Sequence, residues 1–108
     1  MGMEIVIYSA KNHEVFKHDG WWDNPNVQEE FYACKFYELI QNCSFISSDY
    51  QGEWTEINED HIEEMIKIAC QHRDYFGTYD NVARLCELRD RYNTLKEQGY
   101  HLYFNCSY

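Results

Sequence analysis

Apolar and polar residues alternate at both ends of this chain and recur at helical spacing between them. Met3 to Ser9, with Ile5, Val6, Ile7 and Tyr8, has the length and composition of a β-strand. At the far end Tyr100, Leu102, Phe104 and Cys106 alternate with His101, Tyr103, Asn105 and Ser107, the pattern of a half-buried strand. Asn24-Pro25 reads as a helix start, because Pro suits the first helical position and Asn caps it. Val27, Phe31, Cys34, Phe36, Leu39, Ile40 and Cys43 then follow at helical intervals, which predicts a first helix from about residue 25 to 42. Phe45 and Ile46, the turn sequence Asp49-Tyr50-Gln51-Gly52, and Glu53 to Ile57 predict a short hairpin.

Two further helices follow. Asn58 precedes the acids Glu59 and Asp60, and Ile62, Met65, Ile66, Ala69 and Arg73 share one face up to a stop near Gly77. The third helix begins near Asp80 and carries the stripe Val82, Leu85, Leu88, Tyr92, Leu95, with Glu87 one turn before Arg91, and Gly99 ends it. The order β-α-β-β-α-α-β predicts a single α+β domain over residues 1–108: a small, mostly antiparallel sheet with about three helices packed on it. The first and last strands are expected side by side inside the sheet. A split-βαβ arrangement, with the last two helices replacing one, is a possible topology. Met1-Gly2 ahead of Met3 reads as an added start and not as part of the fold.

At 108 residues the chain is long enough for one core. No run approaches the roughly 18 to 20 apolar residues of a membrane span, and the first residues lack a signal-peptide pattern. Cys34, Cys43, Cys70, Cys86 and Cys106 are odd in number and form no C-x-x-C pair. They read as free thiols in a reducing cytoplasm, most of them acting as small buried hydrophobes.

Charge changes the picture more than composition does. The formal net charge is −10. Residues 18–66 hold twelve acids (Asp19, Asp23, Glu29, Glu30, Glu38, Asp49, Glu53, Glu56, Glu59, Asp60, Glu63, Glu64) against the one base Lys35, while the two flanking stretches nearly cancel. Such a concentration repels phosphate backbones, so direct nucleic-acid binding is not expected. It attracts a basic protein surface and speeds encounter with it. Acids at helix starts also stabilise the helix dipole, and that structural role carries about equal weight. The interleaving of Trp21, Trp22, Tyr50 and Trp54 with these acids tips the balance, since aromatic residues supply interface hot spots.

Candidate chemistry is sparse. His61, Cys70 and His72 do not match a structural zinc pattern. His13, His18, Asp19 and Asp23 share a polar loop, a composition that loops acquire without function. There is no P-loop, dinucleotide fingerprint, nucleophile elbow or HExxH motif. An enzyme is therefore the minority expectation, with no cofactor and no metal. The leading expectation is a small acidic inhibitor that occludes a basic, nucleic-acid-binding surface of a partner protein. By analogy of charge and size alone, phage or mobile-element anti-defence proteins and nuclease immunity proteins work this way. The contact residues expected are Glu53, Glu56, Glu59, Asp60, Glu63 and Glu64, anchored by Trp21, Trp22 and Trp54. The alternatives are a small enzyme or ligand-binding domain using the His13–Asp23 loop, and a self-associating protein, such as a homodimer. In the latter, the acidic middle would meet Arg84, Arg89, Arg91 and Lys96 of the last helix.

Overall fold

The computed structural model describes residues 4–34, 42–43, 53–71 and 78–107, side chains excepted at 34, 78–80 and 107. Strand β1 (Glu4–Ala10) leads through two short 3-10 helices (His13–Lys17 and Trp21–Asp23) to β2 (Gln28–Cys34). Strand β3 (Thr55–Ile57), helices α1 (Glu59–Gln71) and α2 (Thr78–Glu97), and β4 (His101–Ser107) complete the order. The four strands form one sheet in the order β2-β1-β4-β3, with every neighbouring pair antiparallel. The expected α+β class and the central pairing of first and last strands are present. The ladder runs from Glu4 opposite Ser107 to Ala10 opposite His101.

Two expectations need correction. Among the described residues two α-helices have bounds, not three, because 28–34 is a strand; Asn42, at the far end of the expected first helix, is helical. Phe31 and Ala33 are buried beside Ile5 and Ile7 of β1, so the period-2 half of an ambiguous pattern prevails over its helical half. The open edge of β1 supplies the backbone partners that decide it, a tertiary override of local spacing. Asn24 still caps, but it caps a turn: its Oδ1 accepts from the Asn26 N–H at 2.9 Å, and its carbonyl accepts from Val27 N–H. The second correction is to the split-βαβ topology. β4 lies antiparallel and directly beside β3, instead of parallel to it with another strand between them. The rest of the predicted first helix (35–41), the first arm and turn of the predicted hairpin (44–52), and the stop at Gly77 lie outside the described residues.

The core lies between the sheet and the two helices. Ile5, Ile7, Phe31, Ile57, Leu102, Phe104 and Cys106 from the strands meet Ile62, Met65, Ile66, Leu85, Leu88, Tyr92 and Leu95 from the helices. The described residues of both predicted helical stripes face this layer, with Val82 packed at its margin, while Arg73 lies outside the described residues. Asn58 caps α1 reciprocally: its Oδ1 accepts from the His61 N–H at 3.2 Å, while its own N–H donates to His61 Nδ1 at 3.0 Å. Helix α2 ends in a Schellman motif. Tyr100 N–H donates to Leu95 carbonyl and Gly99 N–H to Lys96 carbonyl, with Gly99 at φ +85°, a region that glycine enters without cost from a Cβ.

A bulge fixes α2 to the sheet. The register of β1 and β2 slips between Ile7 and Tyr8, so Glu30 has no direct partner across the ladder. Its carboxylate, 1% exposed, accepts from Arg91 of α2 at 2.8 and 3.4 Å and from the hydroxyl of buried Ser9 at 3.0 Å. Arg91 thus serves Glu30 across the fold instead of Glu87 on its own helix. Arg91→Met would strand that carboxylate and should cost about 2 kcal/mol in a denaturant melt, since half of Arg91 remains in water. Adding Glu30→Gln keeps an acceptor for Ser9, removes the stranded charge, and should recover about half of the loss.

Candidate functional site: an aromatic layer with an acidic rim

The helices cover one face of the sheet, and β1 and β4 also place side chains on the other. Tyr8 and Tyr103 stand directly opposite each other there. Residues 11–27, which connect β1 to β2, fold back over this pair and bring their own rings. Phe16 packs on Tyr103 with centroids 5.2 Å apart and stacks on Trp54 at 4.2 Å, the planes only 12° from parallel. Trp21 stands near-perpendicular to Tyr8 (5.1 Å), Trp54 (5.2 Å) and Trp22 (5.7 Å). Such edge-to-face pairs contribute about 0.5–1.5 kcal/mol each beyond the area they bury. His13 ties the segment to the strand before β3: its Nε2 lies 2.9 Å from the Trp54 carbonyl, so that nitrogen carries the proton and donates it. Gly20, at φ +74°, makes the left-handed step that admits the turn Trp21–Asp23.

The structure therefore brings together the three expected tryptophans, but in different roles. Trp21 and Trp54 turn partly inward as members of the layer, whereas Trp22 is 63% exposed at its margin. Tyr50 lies outside the described residues. The six expected acids separate into groups. Glu53 is exposed beside Trp54, and Glu56 shares the face of Tyr103, its Oε2 3.3 Å from His101 Nδ1. Among the described residues that buried nitrogen has no hydrogen-bond partner, and its contact with Glu56 is an ion pair only when the imidazole is protonated. Glu59 and Asp60 are exposed in the first turn of α1, where they also favour the helix dipole. Glu63 accepts from Arg89 of α2 at 3.3 Å, and Glu64 is half-buried near the Cys43 thiol.

Sequence reasoning overlooked Tyr8, Phe16 and Tyr103, and placed His13 in a loop cluster instead of this layer. A signal for two of them was present: Tyr8 and Tyr103 occupy outward positions of the alternating strands, where a second layer must sit if such rings are to be covered. The loop cluster His13, His18, Asp19, Asp23 does not assemble. His13 joins the aromatic layer, while His18 lines an open concavity of about 310 Å³ with Lys11, Asn12, Glu14, Asn24 and Asn26. Several of those groups already serve the fold: Asn12 caps the first 3-10 helix, and Lys11 donates to the Gln98 carbonyl at 2.6 Å. Among the described residues no three His, Cys, Asp or Glu side chains converge as metal ligands. Nor is any described helix long and apolar enough to cross a membrane. Cys43 and Cys106 are buried, and Cys70 and Cys86 half-buried, all as free thiols. Comparison with known protein families, characterised proteins and solved structures finds no match.

Two tyrosines of the sheet and two thiols bear on how the fold responds to alkaline pH. Burial, then the charge of Glu29, raises the Tyr8 hydroxyl; burial, then Glu56, raises that of Tyr103. Burial and Glu64 push the Cys43 thiol up to about 12, and burial raises Cys106. Groups whose folded pKa is raised give their full stabilisation below the unfolded value and lose it as pH climbs toward the folded one. Stability should hold up to the ordinary thiol value of 9.0, then fall, and fall faster above the tyrosine value of 10.0. Denaturant melts from pH 7 to 11 check this, and Tyr8→Phe with Tyr103→Phe should flatten the upper part of the fall.

The tryptophans give a second contrast. Trp21→Ala should destabilise by about 3 kcal/mol, because it empties the centre of the layer. Trp22→Ala should change stability by no more than about 0.5 kcal/mol, as for an ordinary surface substitution. Thermal melts of the two variants distinguish the roles.

Proposed function

We propose that this protein is a non-catalytic binding module that seats its aromatic, acid-rimmed face on a basic surface of a partner protein and occludes it. A nucleic-acid-binding groove is the kind of surface that fits, as for an anti-defence protein or a nuclease immunity protein. The observation that carries the reading is Trp22, 63% exposed at the edge of a braced ring cluster, in a segment that holds Asp19 and Asp23 and, from 18 to 30, no Lys or Arg. An exposed aromatic anchor beside carboxylates supplies both a hot spot and electrostatic steering. Glu56 shares the face of Tyr103, Glu53 is exposed next to Trp54 in the chain, and Glu59 and Asp60 are exposed in the first turn of α1, adding to the negative potential. Glu63 and Glu64, turned toward α2 and the core margin, contribute potential more than contact.

The bases of α2 favour this reading over self-association. Arg89 pairs with Glu63, Arg91 with Glu30, Arg84 lies over the Phe31 ring and Lys96 over Tyr92, all within one chain. A second copy would have to displace these contacts. The ligand-binding alternative rests on the concavity beside His18, whose polar lining is largely engaged in turns and caps.

The test is retention of partners from lysate at low salt, eluted in a salt gradient. The expected outcome is a nucleic-acid-processing protein released by moderate salt. The triple reversal Glu53→Lys, Glu56→Lys, Asp60→Lys should weaken its affinity by about 2–4 kcal/mol while the chain stays folded, its melting temperature lowered only slightly by the cation placed at the start of α1. Retention of that partner at wild-type strength by the folded triple variant would exclude the proposal.

A further inference from the structure

Trp22 presents a chemical question beyond its exposure: what its ring is shaped to receive. Isolated surface hydrophobics are ordinary and by themselves indicate nothing. Trp22 differs in being braced. It sits in the one-turn 3-10 helix Trp21–Asp23, closed by Asp23 N–H donating to the Gly20 carbonyl at 2.9 Å and Asn24 N–H to the Trp21 carbonyl at 3.1 Å. Its indole meets Trp21 at 80°, and Trp21 is itself held by Tyr8, Phe16 and Trp54. Among the described residues its recorded ring contact is with Trp21, so most of its surface is open to solvent.

Three kinds of group stack on an open indole: an apolar side chain, a nucleic-acid base and a cation. The surroundings separate them. Asp19 and Asp23 are exposed in the same short segment, and the nearest base in sequence, Lys17, is paired with Glu14 at 3.2 Å. Carboxylates repel the phosphates that accompany a base. An apolar side chain gains nothing from them. A cation gains twice, from the negative face of the ring and from the acids. Between the two protein cations, guanidinium is planar, weakly hydrated and able to stack on the ring while its N–H fork reaches a carboxylate; ammonium is a compact, strongly hydrated point charge.

We infer that Trp22, with Asp19 and Asp23 exposed beside it in the chain, is a seat for an arginine side chain of the partner. This deepens the proposed function and rests on it: the basic surface is arginine-bearing, and one guanidinium docks on this indole.

The experiment uses the whole chain and defined probes. Hexa-arginine, hexa-lysine and a short oligothymidylate are titrated by calorimetry and tryptophan fluorescence at low salt. Hexa-arginine should bind several-fold tighter than hexa-lysine and should shift the indole emission. Trp22→Ala should weaken hexa-arginine binding by about three- to tenfold, the range of a cation–ring contact, with Trp22→Phe between the two. Hexa-lysine affinity should change by less than about twofold, since screened charge and not the ring governs it. Equal affinity for the two peptides, unchanged hexa-arginine binding in Trp22→Ala, or preference for the oligothymidylate overturns the inference. If Trp22→Ala is silent while the triple reversal at Glu53, Glu56 and Asp60 still releases the lysate partner, the occlusion reading stands and the arginine seat alone falls.

Discussion

The pairing of β1 with β4 joins residues about a hundred positions apart and places them at the centre of the sheet. Closing so long a loop is entropically unfavourable, though the cost grows only slowly with length. What offsets it is burial on both faces of the same ladder. On one face Ile5, Ile7, Leu102, Phe104 and Cys106 form the strand side of the helix-covered core. On the other, Tyr8 and Tyr103 form the floor on which Phe16, Trp21 and Trp54 pack. The outer strands then attach to this pair, β2 along β1 and β3 along β4. If the central ladder shifted by one residue, each strand's two side-chain sets would exchange faces.

That dependence explains which parts of the fold were legible from the amino acids. The central strands and the stripes of α1 and α2 carry periodicities that agree with their burial, so local pattern and tertiary environment give the same answer. Residues 28–34 carry two patterns at once: Val27, Phe31 and Cys34 suit a helix, Phe31 and Ala33 suit a strand. Only the presence of β1 beside them decides it, and that is not a local property. The acid count was legible too, but its arrangement was not. Glu30 and Glu63 look like surface acids in sequence, yet the fold directs each to an arginine of α2. Whether Trp21 and Trp22 point in or out depends on Gly20 and on the rings of β1 and β4, which lie far away in the chain.

The aromatic layer also answers a problem of coverage. Two helices can shield one face of a four-stranded sheet, and the connection of residues 11–27 has little regular structure to shield the other. Large rings close it efficiently, because each covers wide area with few rotatable bonds. The 18% aromatic content of the chain is therefore partly a structural requirement of this face. It follows that most of these rings say nothing about a partner. Trp22 is the exception among the described residues, as the large hydrophobic side chain left substantially in water.

The same arrangement separates stability from recognition. Trp21, Phe16 and Trp54 hold one another and the sheet, so their loss is a folding defect. Trp22 leans on this assembly without supporting it. An anchor held by rigid neighbours loses little conformational freedom when it docks, which is the main way a small surface gains affinity without gaining area. On the proposed reading, the surrounding carboxylates would act at longer range, aligning a basic partner before contact is made. A fixed indole within a one-sign electrostatic field would allow even a small interface to be selective. On that reading, charge would bring a basic partner to this face, and the orientation of one ring would decide which cation is retained.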